Sequence, residues 1–472
     1  MQLIKNGPEI PETLLQAHEE GRAVFFCGAG ISYPAGLPGF KGLATALYDD
    51  LGTSPTEIEQ AALKRGQYDT AVGLLEGRIV GGRELVRTAA SRILTPDLTR
   101  PHAIETHEAL LTLSRNRKGQ YRLITTNFDR IFEHAIRQLH LEVSTSHAPR
   151  LPVPKHRWDG LVYVHGLLSE AATSRELDCL VLSSGDFGLA YLIERWAARF
   201  VSELFRNFIV CFVGYSIDDP VLRYMMDALA ADRLLGETPS EVFAFGSYSK
   251  GSKDRTANEW KAKNVSPILY QEHRHHFYLH QTLRTWAEIY RDGILGKERI
   301  IVRHASARPP TVGSGDDVIS RVLWALGDST GLPAKRFAEL DPPPAFEWFD
   351  HLASPRFRHH DLRRFGVQPN DGDDQNLTFS LISRPTPYSR APLMALIEGN
   401  DPYPRWDTVM FQIARWLLKH LNDPKLILWA AAQGGSLHPD FARLVASQMS
   451  TISPPMQSLW RLMLAGRIKR RT

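Results

Sequence analysis

The sequence predicts a doubly wound α/β fold: a Rossmann-like parallel sheet with helices on both faces, followed by a mostly helical C-terminal region. Three observations predict it. Short apolar runs recur five times before residue 290, helical patterns lie between several of them, and each run ends in glycine or small polar residues. Continuous apolar runs of this length suit strands buried on both faces, as parallel strands are.

The first run is Arg22 to Cys27 (RAVFFC), ending in Gly28-Ala29-Gly30. The second, Tyr121 to Thr125, ends in Thr126-Asn127-Phe128-Asp129. The third, Leu161 to Val164, ends in His165-Gly166, and the fourth, Phe208 to Val213, ends in Gly214-Tyr215-Ser216. The fifth, Glu241 to Phe245, ends in Gly246-Ser247. Helical patterns span Arg130 to Leu139 and Ala190 to Phe205. Open α/β sheets bind ligands in the crevice beyond the carboxyl ends of their strands. Five segments from distant positions are therefore expected to converge on one place.

Residues 300–320 carry two prolines followed by Gly-Ser-Gly and read as a connection. The expected division is a core over residues 1–295, a linker over 296–320 and a helical assembly or sensing region over 321–472. Beyond Trp406 the pattern is cleanly helical: TVMFQIARWLLKHL, PKLILWAAAQ, PDFARLVASQM and PPMQSLWRLMLAGRI. Several of these begin after Asp or on Pro, residues that start helices, and they read as successive packed pairs.

Composition narrows the class. Of 472 residues, 43% are hydrophobic and 23% charged, which excludes a disordered or low-complexity chain. No run of ~18 apolar residues occurs, so no membrane span is expected. The N-terminus lacks an apolar export segment. Three cysteines (Cys27, Cys179, Cys211) are too few for a disulfide framework or a four-cysteine zinc site, so a reducing cytoplasmic setting is expected and a metal is not. A formal charge of +4 permits an anionic ligand without arguing for nucleic acid.

Each strand end offers chemistry beside a plainer reading. Gly28 and Gly30 allow a tight turn and close approach of backbone to a phosphate, with helix-start amides favouring negative charge; they also suit an ordinary strand-to-helix turn. Asn127 both donates and accepts, so it can hold a ribose hydroxyl or orient a water. Asp129 can accept from a carboxamide or cap the next helix. His165 at a strand end, with an ordinary pKa near 6.5, suits a general base, though the chain holds 18 histidines. Gly214 and Ser216 can meet a phosphate or ribose, and Asp218 or Asp219 can cap the helix that Pro220 opens.

Taken in order, GAGIS, the Gly-Leu-Pro-Gly-Phe segment at 36–40, TNFD, HG and GYS resemble the sirtuin family across residues 15 to 290. There the order is a GAGIS phosphate loop, a Gly-Ile-Pro-x-Phe segment, a T-Q-N-x-D motif, a catalytic HG and a late G-[ST]-S. The resemblance implies an NAD-cleaving core. Gly28, Ala29, Gly30 and Ser32 would line the NAD phosphates, and Phe40 would cover the nicotinamide side. Asn127 would contact the ribose or the attacking water, Asp129 would sit near the carboxamide, and His165 would be the base. Gly214 and Ser216 would hold the ribose–phosphate side.

The departures matter. Deacylase sirtuins carry a zinc ribbon of two cysteine pairs, and this chain has no CxxC. Gly39, Lys41 and Thr126 replace the family's acidic residue, arginine and glutamine. These changes speak against protein deacylation. A closer likeness is to the sirtuin-like proteins of bacterial anti-phage defence, with TTNFD, HG, GYSxxDP and the run Ser183 to Tyr191. The stretch 437–443 looks like the helical region of the much longer defence-associated sirtuins.

The resemblance therefore implies an NAD hydrolase, gated as a defence effector, with NAD as substrate and no zinc. Assembly into a homo-oligomer and a phage-derived trigger or partner defence subunit are implied with it. Competing readings are a non-catalytic NAD or ADP-ribose binding module and a zinc-free deacylase or ADP-ribosyltransferase. A third is a subunit of a nucleic-acid-guided complex, which the basic tail and the His/Arg-rich stretch 355–365 suggest; solvated charge explains both stretches more simply, so direct nucleic-acid binding is not expected.

Overall fold

The computed structural model describes residues 1–169, 173–217, 219–226, 240–310, 318–352, 382–383, 408–432 and 436–466. Asp218, residues 311–317 of the expected linker, the stretch 355–365 and the basic tail 467–472 lie outside the described residues. The chain divides into two compact units, Leu3–Arg291 and Asp292–Thr472, the latter including Met1–Gln2.

The first unit is built on seven parallel strands. They are β1 (Ala23–Cys27), β2 (Arg122–Thr125), β3 (Thr145–His147), β4 (Gly160–Tyr163), β5 (Ile209–Val213), β6 (Val242–Tyr248) and β7 (Ser266–Gln271), in the spatial order β3-β4-β2-β1-β5-β6-β7. The central strands are apolar at successive positions because both faces are covered. Val24 and Phe26 pack with Val201, Leu204 and Phe205 of helix Trp196–Asn207. Phe25, on the opposite face, meets Trp286 of helix Phe277–Arg291 edge-on at 5.5 Å. Full burial of each such side chain contributes about 1.5–3 kcal/mol.

The two strands that sequence reading missed are the sheet edges. β3 is three residues long and carries no large apolar side chain. β7 contains Pro267, which an edge strand tolerates and a run-based reading discounts. The helix expected over Ala190 to Phe205 is interrupted. A π-helical segment spans Gly188–Ile193, the chain turns left-handed at Arg195 (φ 60°), and a new helix starts at Trp196.

Between β1 and β2 the chain inserts a helical layer: Phe40–Asp50, Glu57–Lys64, Tyr68–Arg78 and Gly82–Ile93. Leu43, Leu47, Val72, Leu75 and Val86 form its core. From β1 the chain passes to β2 on one side, then returns through β5 on the other. The crevice at this reversal is where an open α/β sheet binds ligands.

Among its described residues the second unit is helical apart from a short antiparallel pair, Ile382–Ser383 with Ser436–Leu437. Residues 296–304, expected as linker, are instead part of helix Gly293–His304, which packs against Val318–Leu326 and Leu332–Glu339. Its Lys297 is paired with Asp328 at 2.7 Å. Pro424, Pro439 and Pro454 each open a helix, where the fixed φ of proline costs nothing. Buried Trp416 and Trp460 tie helices to loops by donating to the carbonyls of Pro344 and Leu421, each at 2.9 Å.

Candidate functional site

The ends of β1, β2 and β5 are laced together by one carbonyl. Cys27 O, at the end of β1, accepts from the Thr126 amide at 3.0 Å, the Thr125 hydroxyl at 3.2 Å and the Tyr215 hydroxyl at 3.2 Å. Tyr215 and Thr126 share a further hydrogen bond at 2.6 Å.

The glycines of these turns serve the same closure. Gly30 donates its amide to Gly214 O at 2.9 Å, and a Cβ on Gly30 would lie 2.9 Å from Gly214. Gly28 lies against the Tyr215 ring, which a Cβ would approach to 2.9 Å. Gly214 adopts φ +78°, and a Cβ there would reach 2.7 Å from the Ile31 amide. Beyond Gly28 the chain forms a seven-residue 3-10 turn, Ala29–Ala35, rather than an α-helix. The Gly28, Gly30 and Ile31 amides are already donated within the protein. The close meeting of the two loops by itself requires glycine at these positions.

Beside this closure lies a small cleft, partly open to solvent. Ala29, Ser32, Phe40, Asn127, Asp129 and His165 line it together. Gly28, Gly30, Gly214 and Ser216 do not line it; Ser216 is exposed. Phe40 opens the helix Phe40–Asp50 and meets Tyr68 edge-on at 6.3 Å.

Ser32 is the hub of one wall. Its hydroxyl donates to Asp129 Oδ2 at 2.9 Å, accepts from Asn127 Nδ2 at 3.1 Å and lies 3.3 Å from His107 Nε2. One donor and two lone pairs are thereby used. His107, on helix Glu105–Ser114, was not singled out from the sequence; its only signal is a histidine on the buried face of that helix. Burial holds His107 down to about 3, assisted by His280 nearby, so it stays neutral. Asp129 also accepts from the Ile131 amide at 3.1 Å, so it holds the first residue of helix Ile131–Gln138 and faces the cleft at once. Burial raises its carboxyl above the usual range, against the lowering effect of the Ile131, Ser32 and Asn127 hydrogen bonds. Asn127 is fixed by its amide donating to Thr125 Oγ1 at 3.0 Å, and its Oδ1 takes no hydrogen bond from the described residues.

His165 forms the opposite wall. It is 1% exposed, and its Nε2 lies 2.9 Å from the Tyr191 hydroxyl. Phe187 packs edge-on at 5.3 Å. Burial brings the imidazole down to about 3, with Asp186 pulling weakly the other way. The ordinary value that suggested a general base is lost in this setting.

The Ser183 to Tyr191 run builds this wall. Asp186 accepts from the amides of Leu182 at 3.0 Å and Ser183 at 2.8 Å, from Arg83 at 2.5 Å, and from the wholly buried Arg87. Burial alone would raise the Asp186 carboxyl, but Arg87, the Ser183 amide and Arg83 hold it below the usual range. Arg87 also donates to the carbonyls of Leu177 and Leu180 at 2.6 and 2.7 Å. A further lining residue, Asp219, was read from sequence only as a cap. Among the described residues no group of three or more His, Cys, Asp or Glu is placed to hold a metal ion.

Parallel strands, a reversal crevice and a cleft lined by Asn, His and two carboxyls define an α/β protein with a candidate site at the sheet reversal. Residues 122–268 match the SIR2-like domain, so this chain carries a SIR2-like domain, a kind of domain that binds NAD. The match takes in Asn127, Asp129, His165 and Asp219; the β1 turn precedes it. The chain is also 31% identical over 360 residues to the uncharacterized protein y4cA of Sinorhizobium fredii, a match covering 75% of this chain and 29% of that protein. The stretch thus spans less than a third of that relative's length. No described helix is long and apolar enough to cross a membrane.

Proposed function

We propose that the chain hydrolyses NAD⁺ to ADP-ribose and nicotinamide, as a gated effector of bacterial anti-phage defence acting in the cytoplasm. One observation carries the reading: Asn127, Asp129, His165 and Phe40 meet in a single cleft at the sheet reversal of a SIR2-like domain. The nicotinamide leaving group is already cationic, so little acid catalysis is needed. The site must hold the glycosidic bond, stabilise an oxocarbenium-like transition state and place a water. Asn127 Oδ1 would accept from that water or from a ribose hydroxyl. Neutral His165 would hydrogen-bond the ribose through the nitrogen that Tyr191 leaves open. Phe40 would shield the nicotinamide side from solvent.

An ungated NAD hydrolase would be toxic, so the helical unit beyond Arg291 is assigned to assembly and to sensing a phage-derived trigger or partner subunit. The test is NAD⁺ consumption by the purified protein, read as nicotinamide and ADP-ribose, with and without extract from phage-infected cells. His165→Ala and Asn127→Ala are expected to abolish turnover while melting like the wild type. Bound NAD⁺ without turnover under every condition would replace the enzyme by a binding module. Regulated activity surviving deletion beyond residue 305 would remove the sensing role.

A further inference from the structure

We propose that Asp219 is a catalytic carboxylate of this cleft, the group that takes the proton from the attacking water. The proposal rests on the NAD-hydrolysing reading above and assigns the step that reading leaves without a base. Hydrolysis forms a bond between the water oxygen and C1′ of the ribose and breaks the bond from C1′ to nicotinamide. The electron pair of that bond moves onto the pyridine nitrogen and cancels its charge. One water proton must leave, and the balance is NAD⁺ plus water giving ADP-ribose, nicotinamide and H⁺.

The cleft offers three candidate acceptors. Asp129 has both oxygens engaged, one by the Ile131 amide and one by the Ser32 hydroxyl, and is 5% exposed. His165 is 1% exposed, has Nε2 held by Tyr191, and is brought by burial to about 3. Asp219 lines the same cleft as Asn127 and His165. Its Oδ1 accepts from the Val221 amide at 2.9 Å, and its own amide donates to Ser216 O at 3.1 Å. Oδ2 accepts no hydrogen bond from the described residues. The carboxyl is thus fixed at a helix start, with one oxygen left for a ligand among the described residues.

The surroundings set its basicity. The charged or titratable groups that act on it are Lys263 beside helix Lys253–Ala262, Tyr33 of the β1 turn, Tyr191 of the π-helical segment and Tyr215 of the β5 turn; His165 and Asp129 line the same cleft. Burial lifts Asp219 to about 6, against the Val221 amide and Lys263. It is then ionised at pH 7 and a better base than an ordinary carboxylate, near the operating pH where general bases work best.

The test compares wild type, Asp219→Asn and Asp219→Ser, two replacements that also cap helices. Two reactions are read: hydrolysis to ADP-ribose, and exchange of labelled nicotinamide into NAD⁺. Exchange breaks and remakes the same C–N bond with no water proton to remove. Both variants are expected to melt like wild type, to lose hydrolysis by about 10²–10⁴-fold, and to keep exchange within a few-fold. Formate is expected to restore part of the hydrolysis in Asp219→Ser. Wild-type hydrolysis should fall as pH drops through about 6. Hydrolysis within threefold of wild type in either folded variant would overturn the assignment. So would equal loss of exchange and hydrolysis, which would make Asp219 a binding or charge-stabilising group. Absence of both reactions in the wild type, with and without infected extract, would instead bring down the functional reading and this step with it.

Discussion

The hydroxyl of Tyr191 lies 2.9 Å from Nε2 of His165, and both rings are buried. Burial raises the Tyr191 hydroxyl far above its usual range, so it remains a phenol in this contact. The hydrogen bond fixes the orientation of the imidazole ring. Tyr191 reaches His165 from the π-helical segment Gly188–Ile193, an irregularity often found at functional sites.

Tyr191→Phe keeps the packing and removes this bond. NAD⁺ cleavage is expected to drop about tenfold, equivalent to about 1.4 kcal/mol, with substrate affinity nearly unchanged. Steady-state kinetics that moved KM alone would contradict a positioning role.

Asp186→Asn leaves the buried Arg87 guanidinium without its carboxylate partner on this side. Breaking a buried pair by removing one member costs about 3–5 kcal/mol. The denaturant midpoint should fall accordingly. Activity should fall in the fraction that remains folded, because this loop carries Phe187 and Tyr191 against His165.

Gly214→Ala combines a left-handed backbone with a Cβ 2.7 Å from the Ile31 amide. Gly52 is also left-handed (φ +59°), but a methyl there would meet nothing within 4 Å. Gly52→Ala should cost about 1 kcal/mol from backbone strain alone. Gly214→Ala should cost clearly more and should separate the β1 and β5 turns. Paired urea denaturation curves decide the comparison.

Acid should weaken the fold. His107, His165 and His280 are each brought by burial to about 3, whereas the unfolded chain protonates them near 6.5. Between these values the unfolded state binds more protons, so their contribution falls as pH falls. The raised carboxyls of Asp129 and Asp219 act in the opposite sense, gaining protons in the folded state above their unfolded values. Counting His276 and His420, five imidazoles are lowered by burial, against four raised carboxyls counting Glu108 and Glu133, and the imidazoles start from the higher unfolded values, so they dominate between pH 7 and 5. Stability measured by denaturant should drop from pH 7 to pH 5, and by less in His280→Gln.

The central strands were legible because burial on both faces writes itself as an unbroken apolar run, as in VFFC and VCFV. The residues after them were legible as chemistry for the same reason: Asn127, Asp129 and His165 stand where an apolar run stops. The edges were not, since β3 is exposed and β7 carries a proline. The insertion between β1 and β2 was hidden because its helices bury against one another and against Leu180 and Leu182, far along the chain. Asp219 looked like a helix cap because it is one; only the fold shows that the capping carboxyl also faces the cleft. The meaning of Gly28 and Gly214 lay in each other, which no local pattern records.

The shared acceptor at Cys27 has a mechanical consequence. Turns from three strands hang on one oxygen, through Thr125, Thr126 and Tyr215, and the Gly30–Gly214 bond closes the set. None of these turns opens without releasing the others, so they form one cooperative unit of local unfolding. The amides of Gly28, Gly30 and Thr126 should exchange with deuterium at a common rate. A ligand that slows one should slow all three, so the closure beside the cleft, which touches it through Thr126, reports on its occupancy.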